Sequence, residues 1–298
     1  MPKKGGRFII ASSGGSTTDS MDPATLTSNM NQNFNWTLRN SLVEIDHNFK
    51  PIPELAESWD SSPDAKVWTF NLRKGVEFHN GKTMTSEDVI FSIQHHTGKE
   101  SKSGAKGYLK SIESIKADGK YKVVFTLSGG SADFPFVLGD YHLTICPAGT
   151  KGTEFEKGVG TGAYILEDWE PGVRAFAKRN PNYWKEGRAH FDEIETNQVA
   201  DPNARSNGLQ TGQFDCMSNV DVKTVHLLEK NSNLKIVATT GNKQVTLPMH
   251  TDKAPFDNND VRMALKHSID REQWLKLIIR GYGELGNDNP IGPANQYR

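Results

Sequence analysis

The residues best suited to chemistry in this chain are His95 and His96, the acidic pairs Glu87 with Asp88 and Asp257 with Asp260, and the cysteines Cys146 and Cys216. Two histidines near carboxylates are the raw material of a metal-assisted hydrolase, with imidazole nitrogens and carboxylate oxygens as ligands. Adjacent helical residues point about 100° apart, however, so His95 and His96 are poorly placed to share one ion. The acidic pairs stand at expected helix starts, where capping and the positive helix end account for them without catalysis. Nucleophilic chemistry lacks its framework: no GxSxG elbow occurs, and Cys146 lies in Ile145-Cys146-Pro147, an apolar setting that does not lower a thiol pKa. With no CxxC spacing and no zinc-finger His pair, the cysteines read as buried thiols in preference to a disulfide. Gly158-Val159-Gly160-Thr161-Gly162 lacks the GxGxxG frame and a P-loop Lys, and reads as a turn needing unusual backbone angles.

The elements that must position these residues alternate. Apolar residues of period two predict strands over 6–11, 66–73, 120–127, 163–169, 173–178, 191–199, 214–217 and 234–240. In the second of these, Trp68, Phe70 and Leu72 form the packed face, and Asp118-Gly119 before the third reads as a hairpin turn. Helical spacing predicts helices over 26–42, 201–212 and 220–230, and over 86–96, where Thr85 or Ser86 caps the start. The clearest helix runs from Asp260 to Ile278, with Gly281 and Gly283 as its stop. Trp59, Trp68, Phe70, Phe78, Tyr183 and Trp184 lie beside strand or turn signals and read as core. The alternation of strands and helices predicts a mixed α/β layer architecture.

With 298 residues the chain has material for roughly two domains of ~100–200 residues. The 35 Lys plus Arg against 36 Asp plus Glu argue against a basic nucleic-acid binder and against an acidic disordered tail. No stretch nears the ~18 apolar residues of a spanning helix, and no apolar core follows Lys3-Lys4, so the chain reads as soluble and without an export signal. Asn289-Pro290-Ile291-Gly292-Pro293 has the composition of a loop and not of a closing element, and the expectation is that the last segment is incomplete.

One long run stands out: Pro53-Glu54-Leu55-Ala56-Glu57-Ser58-Trp59, then Pro63-Asp64, Trp68 to Gly81 (WTFNLRKGVEFHNG), and Thr85-Ser86-Glu87-Asp88-Val89. It resembles the extracytoplasmic solute-binding proteins of ABC importers, in the family (solute-binding family 5) that takes up oligopeptides, dipeptides, nickel complexes and related solutes. Four further blocks follow in that family's order. They are Ser20-Met21-Asp22-Pro23, Gly160-Thr161-Gly162-Ala163-Tyr164 with Asn180-Pro181-Asn182-Tyr183-Trp184, Thr211-Gly212-Gln213-Phe214-Asp215, and Pro255-Phe256-Asp257 with Val261-Arg262-Met263-Ala264-Leu265 and Ile269-Asp270-Arg271. The resemblance covers essentially the whole chain.

It implies a two-lobed periplasmic-binding-protein-like fold of type II with an extra subdomain. Residues 1–40 with 158–242 would form part of the first lobe, 41–157 the added subdomain, and 243–298 the start of an incomplete second lobe. The implied function is capture of a small solute between lobes that close by hinge motion, and its delivery to a membrane ABC permease. A non-enzymatic monomer with no cofactor and no nucleic acid follows, periplasmic or membrane-anchored outside the cytoplasm in its full-length form. Peptide, opine, polyamine and metal chelate remain open as ligands. The implied ligand-binding positions are Thr27 and Asn29, after Asp22-Pro23, and His250 and Thr251 at the crossover, with simple loop and strand capping as the competing reading. The family usually carries Asn where this sequence has His250, a departure that bears on recognition of a peptide backbone. Two alternatives stand beside this reading: a metal-assisted hydrolase built on His95 and His96, and a binding-incompetent fragment whose unpaired surface exposes apolar patches.

Overall fold

The computed structural model describes residues 4–239, 244–286 and 288. Two compact units divide the chain, Met1–Asn219 and Val220–Arg298. In chain order the first carries β1 (Arg7–Ser12), α1 (Asn29–Leu38), β2 (Val43–Ile45), β3 (Pro51–Pro53), β4 (Ala56–Ser61), β5 (Val67–Leu72), α2 (Ser86–Thr97), β6 (Ile112–Ala117) and β7 (Lys122–Leu127). It continues through α3 (Phe134–Val137), β8 (Tyr164–Glu170), β9 (Arg174–Arg179), β10 (Glu193–Gln198), α4 (Pro202–Gln210) and β11 (Cys216–Met217). The second carries α5 (Val225–Leu228), α6 (Asn259–His267) and α7 (Arg271–Leu277).

One sheet has the order β11-β1-β10-β9-β8, with β1 parallel to both β10 and β11 and antiparallel pairing beyond β10. Ala175 and Ala177 alternate with larger residues on β9, and these two small side chains share a core with Met21, Met30, Phe34 and Leu38 of α1 and its approach. The second sheet is antiparallel, β4-β5-β7-β6. The predicted face of β5 is its buried face: Trp68, Phe70 and Leu72 pack inward, and Phe70 meets the rings of Phe125 and Phe134 edge-on at 5.6 and 6.3 Å. Full burial of such a ring contributes about 2–3 kcal/mol, so this aromatic cluster holds the layer together. Among the other aromatics read as core, Phe78 is buried, while Trp59 and Trp184 are half-buried against the same cluster. The hairpin turn at Asp118 holds as well, with Gly119 at φ +79°.

Several elements are shorter than the pattern predicts, each for a local reason. The helix expected over 26–42 spans Asn29–Leu38. Ser28 Oγ accepts from the Asn31 N–H while the Asn31 side chain accepts from the Ser28 N–H, which starts it late. At its other end Gly162 N–H takes the Leu38 carbonyl at 2.9 Å. The helix over 260–278 is two helices, because the Asp270 side chain accepts the Gln273 N–H at 2.9 Å and caps a new start although the apolar spacing runs on. The helix over 220–230 contracts to Val225–Leu228 and the strand over 214–217 to Cys216–Met217. Residues 234–239 form no strand, and Thr240 lies outside the described residues. Both cysteines are free: Cys146 is buried as expected, but Cys216, on the sheet's edge strand, is exposed.

Candidate functional site

In open α/β sheets, ligands bind beyond the carboxyl ends of parallel strands, where loops part and backbone groups face outward. In the first unit that edge lies past Ser12 of β1, Gln198 of β10 and Met217 of β11. Small polar groups line it. Asn219 Nδ2 donates to Ser13 Oγ at 2.6 Å, Ser13 N–H to Ser218 Oγ at 3.4 Å, and Gly15 N–H to Gln198 Oε1 at 2.9 Å. Gly14 takes φ +81°, and a Cβ there would lie 3.5 Å from Asn29 Nδ2. The first residue of α1 therefore stands over the end of β1, and of the four positions implied by the family resemblance Asn29 is the one this edge gathers in. Thr27 is exposed one residue before the helix cap.

The loop between them is pinned from beneath. The Asp19 carboxylate accepts from the Ser16 N–H at 3.0 Å and from Ser28 Oγ at 2.7 Å. Asp22 accepts the Ala24 N–H at 2.9 Å and faces His95 Nε2 at 2.6 Å. Burial by itself raises the Asp22 carboxyl, but the bonds from His95 and Ala24 outweigh it and hold the group below the ordinary carboxylate range. His95 is thus a strut for the Asp22-Pro23 turn. His96 turns elsewhere, with Nδ1 2.7 Å from Ser103 Oγ, and burial pushes it down to about 4. Among the described residues no group of three His, Cys, Asp or Glu side chains is arranged to hold a metal ion.

Arg39 closes the base of the loop. It is buried, and its guanidinium spans the carbonyls of Met21, Phe155 and Val159 and the Asn35 side chain. The glycines of the 158–162 run fit against it. Only Gly158 takes a left-handed angle, φ +60°, so the expected turn geometry holds at one glycine. Gly160 and Gly162 serve close approach instead: a Cβ at either would fall 2.3 Å from main-chain atoms of Leu38.

His250 and Thr251 belong to the second unit and are exposed, with His250 Nδ1 3.7 Å from Asp252 Oδ1. Ser13, Gln198, Ser218 and Asn219 were not singled out from sequence. Their signal is the register of three strands far apart in the chain, which period-two patterning does not carry.

The mixed α/β fold of this chain is shared with solved periplasmic binding proteins. The chain belongs to the bacterial extracellular solute-binding proteins, family 5, whose middle-region description matches residues 50–298. It is 29% identical to heme-binding protein A of Haemophilus influenzae, over 86% of this chain and 51% of that protein. It is also 29% identical to the glutathione-binding protein GsiB of Pectobacterium atrosepticum, over 90% of this chain and 53% of that protein. Among solved structures, the periplasmic binding protein DppA of Helicobacter pylori in complex with the peptide STSA superposes with a TM-score of 0.80 at 29% identity, covering 94% of this chain and 59% of that one. The chain spans about half the length of the curated relatives it matches. Among the described residues no helix is long and apolar enough to cross a membrane.

Proposed function

We propose that this chain is part of the solute-capturing component of an ABC importer, which holds a small solute outside the cytoplasm and passes it to a membrane permease. The observation that carries this reading is the polar carboxyl edge of β1, β10 and β11, where Ser13, Asn29, Gln198 and Asn219 offer hydroxyl and carboxamide groups and no nucleophile paired with a base. Such groups bind and orient a solute; they do not cleave it. Thr27 joins this set from the same loop, and His250 and Thr251 are the residues proposed to contribute from the crossover. In this reading 1–40 with 158–242 belong to one lobe, 41–157 to its added subdomain, and 243–298 to the other lobe, with no cofactor. Peptide-like solutes, opines, polyamines and metal chelates are the ligand classes in play.

The test is a thermal melt with glutathione, hemin and the tetrapeptide Ser-Thr-Ser-Ala as probes, repeated on Gln198→Ala. A probe at a hundred times its Kd stabilises by about 2.7 kcal/mol, which moves the midpoint by several degrees. The expected result is a shift with one probe class that shrinks in Gln198→Ala. An equal shift in the variant removes the strand edge from the site, and turnover of any probe overturns capture without chemistry.

A further inference from the structure

The antiparallel sheet β4-β5-β7-β6 has two unlike faces. One is core, where Val89 and Ile93 of α2 and Phe134 of α3 pack with Trp68, Phe70 and Phe125. The other is open: Val67 stays 37% exposed, and Thr69, Val124 and Thr126 are half-buried although they lie on the two central strands. Residues directly opposite one another in a sheet share a face, so the register arranges this side in rows across the strands. Asp60 on β4 stands opposite Thr69 on β5, Thr69 opposite Val124 on β7, and Val124 opposite Lys116 on β6. The next row places Val67 opposite Thr126.

The first of these rows carries a negative charge at one edge of the sheet, a positive charge at the other and none between. Asp60 and Lys116 are both exposed, and among the described residues neither has an ion-pair partner. Their neighbours one row away are satisfied: Lys122 Nζ lies 3.0 Å from Asp118 Oδ2, and Asn71 Nδ2 donates to Ser58 Oγ at 3.0 Å. Between the two free charges the surface is β-branched, and such side chains lose little freedom when a second surface covers them.

A row of this kind is its own complement. Two sheets stack about 10 Å apart with their strands within about 30° of one another. A two-fold axis parallel to the strands then sets Asp60 of each copy against Lys116 of the other, Thr69 against Val124, and Val67 against Thr126. An axis across the strands sets Asp60 against Asp60 and Lys116 against Lys116, so charge selects the first arrangement. We infer that the open face of this sheet binds a second copy of the chain, in a two-fold pair held by the reciprocal Asp60 and Lys116 contacts. Four strands at about 4.8 Å and six residues at about 3.4 Å make a patch about 19 by 20 Å. Two such patches bury on the order of 800 Å², below the about 1,200 Å² of stable complexes, so the pair is weak and reversible. At low concentration the chain is the monomer that the family resemblance implies. The inference is independent of the solute-capture reading: it concerns other residues, and its failure leaves the strand edge untouched.

The experiment is sedimentation velocity of the whole chain from about 10 μM to about 1 mM, a range suited to a weak pair, with circular dichroism to show that each variant is folded. The parent is expected to sediment faster as its concentration rises. Asp60→Lys and Lys116→Asp each turn both contacts of the pair repulsive, and each is expected to weaken association by at least about fivefold. The doubly exchanged chain restores both contacts and is expected to pair like the parent. A mixture of the two single variants is likewise expected to associate more strongly than either alone. Association through the exposed apolar side chains of α6 and α7, such as Leu265 and Trp274, is indifferent to these exchanges. A parent that stays monomeric at about 1 mM, single variants that associate as the parent does, or an exchanged chain that fails to recover overturns the inference.

Discussion

The guanidinium of Arg39 donates to the main-chain carbonyl of Met21 at 2.8 Å, and so fastens the C-terminal end of α1 to the loop that carries Thr27 and leads into the helix at Asn29. Arg39 is 1% exposed, and its other hydrogen-bond acceptors are the Asn35 side chain at 2.7 Å and the carbonyls of Phe155 and Val159 at 3.2 Å each. A buried guanidinium held by neutral acceptors is stable only while all of them are in place. Arg39→Leu strands these acceptors in a dry interior, and the expected loss is about 3 kcal/mol or more in urea unfolding. Arg39→Lys recovers only part of it, since an ammonium cannot span the same fork of partners. A loss below about 1 kcal/mol in the leucine variant would remove Arg39 as the fastening of the loop.

Gly160 faces the same helix end. A Cβ there would stand 2.3 Å from both the Leu38 carbonyl oxygen and Arg39 Cγ, whereas one at Gly98 meets nothing within 4 Å. Gly160→Ala is therefore expected to lose about 2 kcal/mol or more through forced backbone shifts, and Gly98→Ala to stay within about 0.5 kcal/mol of the parent. Thermal melts of the two variants side by side check this, and coincident midpoints refute it.

How far the sequence is legible depends on whether the deciding contact is local. The packed face Trp68, Phe70, Leu72 and the helix from Ser86 are read from residues within one element, and both stand as predicted. The family resemblance is carried by such local runs too, and it holds. The break at Asp270 is also local, but there a single cap outcompetes an apolar spacing that continues across it. Gly160 and Gly162 look like turn glycines and are instead spacers, because what they must avoid is Leu38, more than a hundred residues away. The polar edge is of the same kind. Ser13 meets Asn219 across a separation of 206 residues, and no pattern within either segment announces the pairing.

The cysteines differ in reach. Cys146 is buried, with its thiol pushed up by burial, while Cys216 is exposed on the edge strand β11. A thiol reagent at neutral pH is expected to label one cysteine in the folded chain and the second only on unfolding. Cys216→Ser removes the fast phase. Two fast phases, or one that survives the substitution, contradict this assignment.

Acid should loosen the fold through two imidazoles. Burial holds His79 and His96 down to about 4, against about 6.5 for a free histidine. His79 is kept neutral in place: its Nδ1 accepts the Gly160 N–H at 3.3 Å, and its Nε2 lies 3.1 Å from the Gly162 carbonyl, which needs a donor there. Between these two pKa values the unfolded chain takes up protons that the folded chain refuses. Stability is then fully present above about pH 6.5 and declines as the pH falls toward 4. From pH 7 to pH 5 each histidine removes on the order of 2 kcal/mol. Glu54 opposes them. It is buried, accepts from Asn40 Nδ2 at 2.6 Å and pairs with Lys185, and burial lifts its carboxyl above the ordinary range, so the folded chain gains stability from this group on acidification. Urea unfolding at pH 7, 6 and 5 is expected to show a net decline, which flattens in His79→Gln and steepens in Glu54→Gln. Stability that stays level or rises down to pH 5 in the parent chain means that these imidazoles take up protons in the folded state.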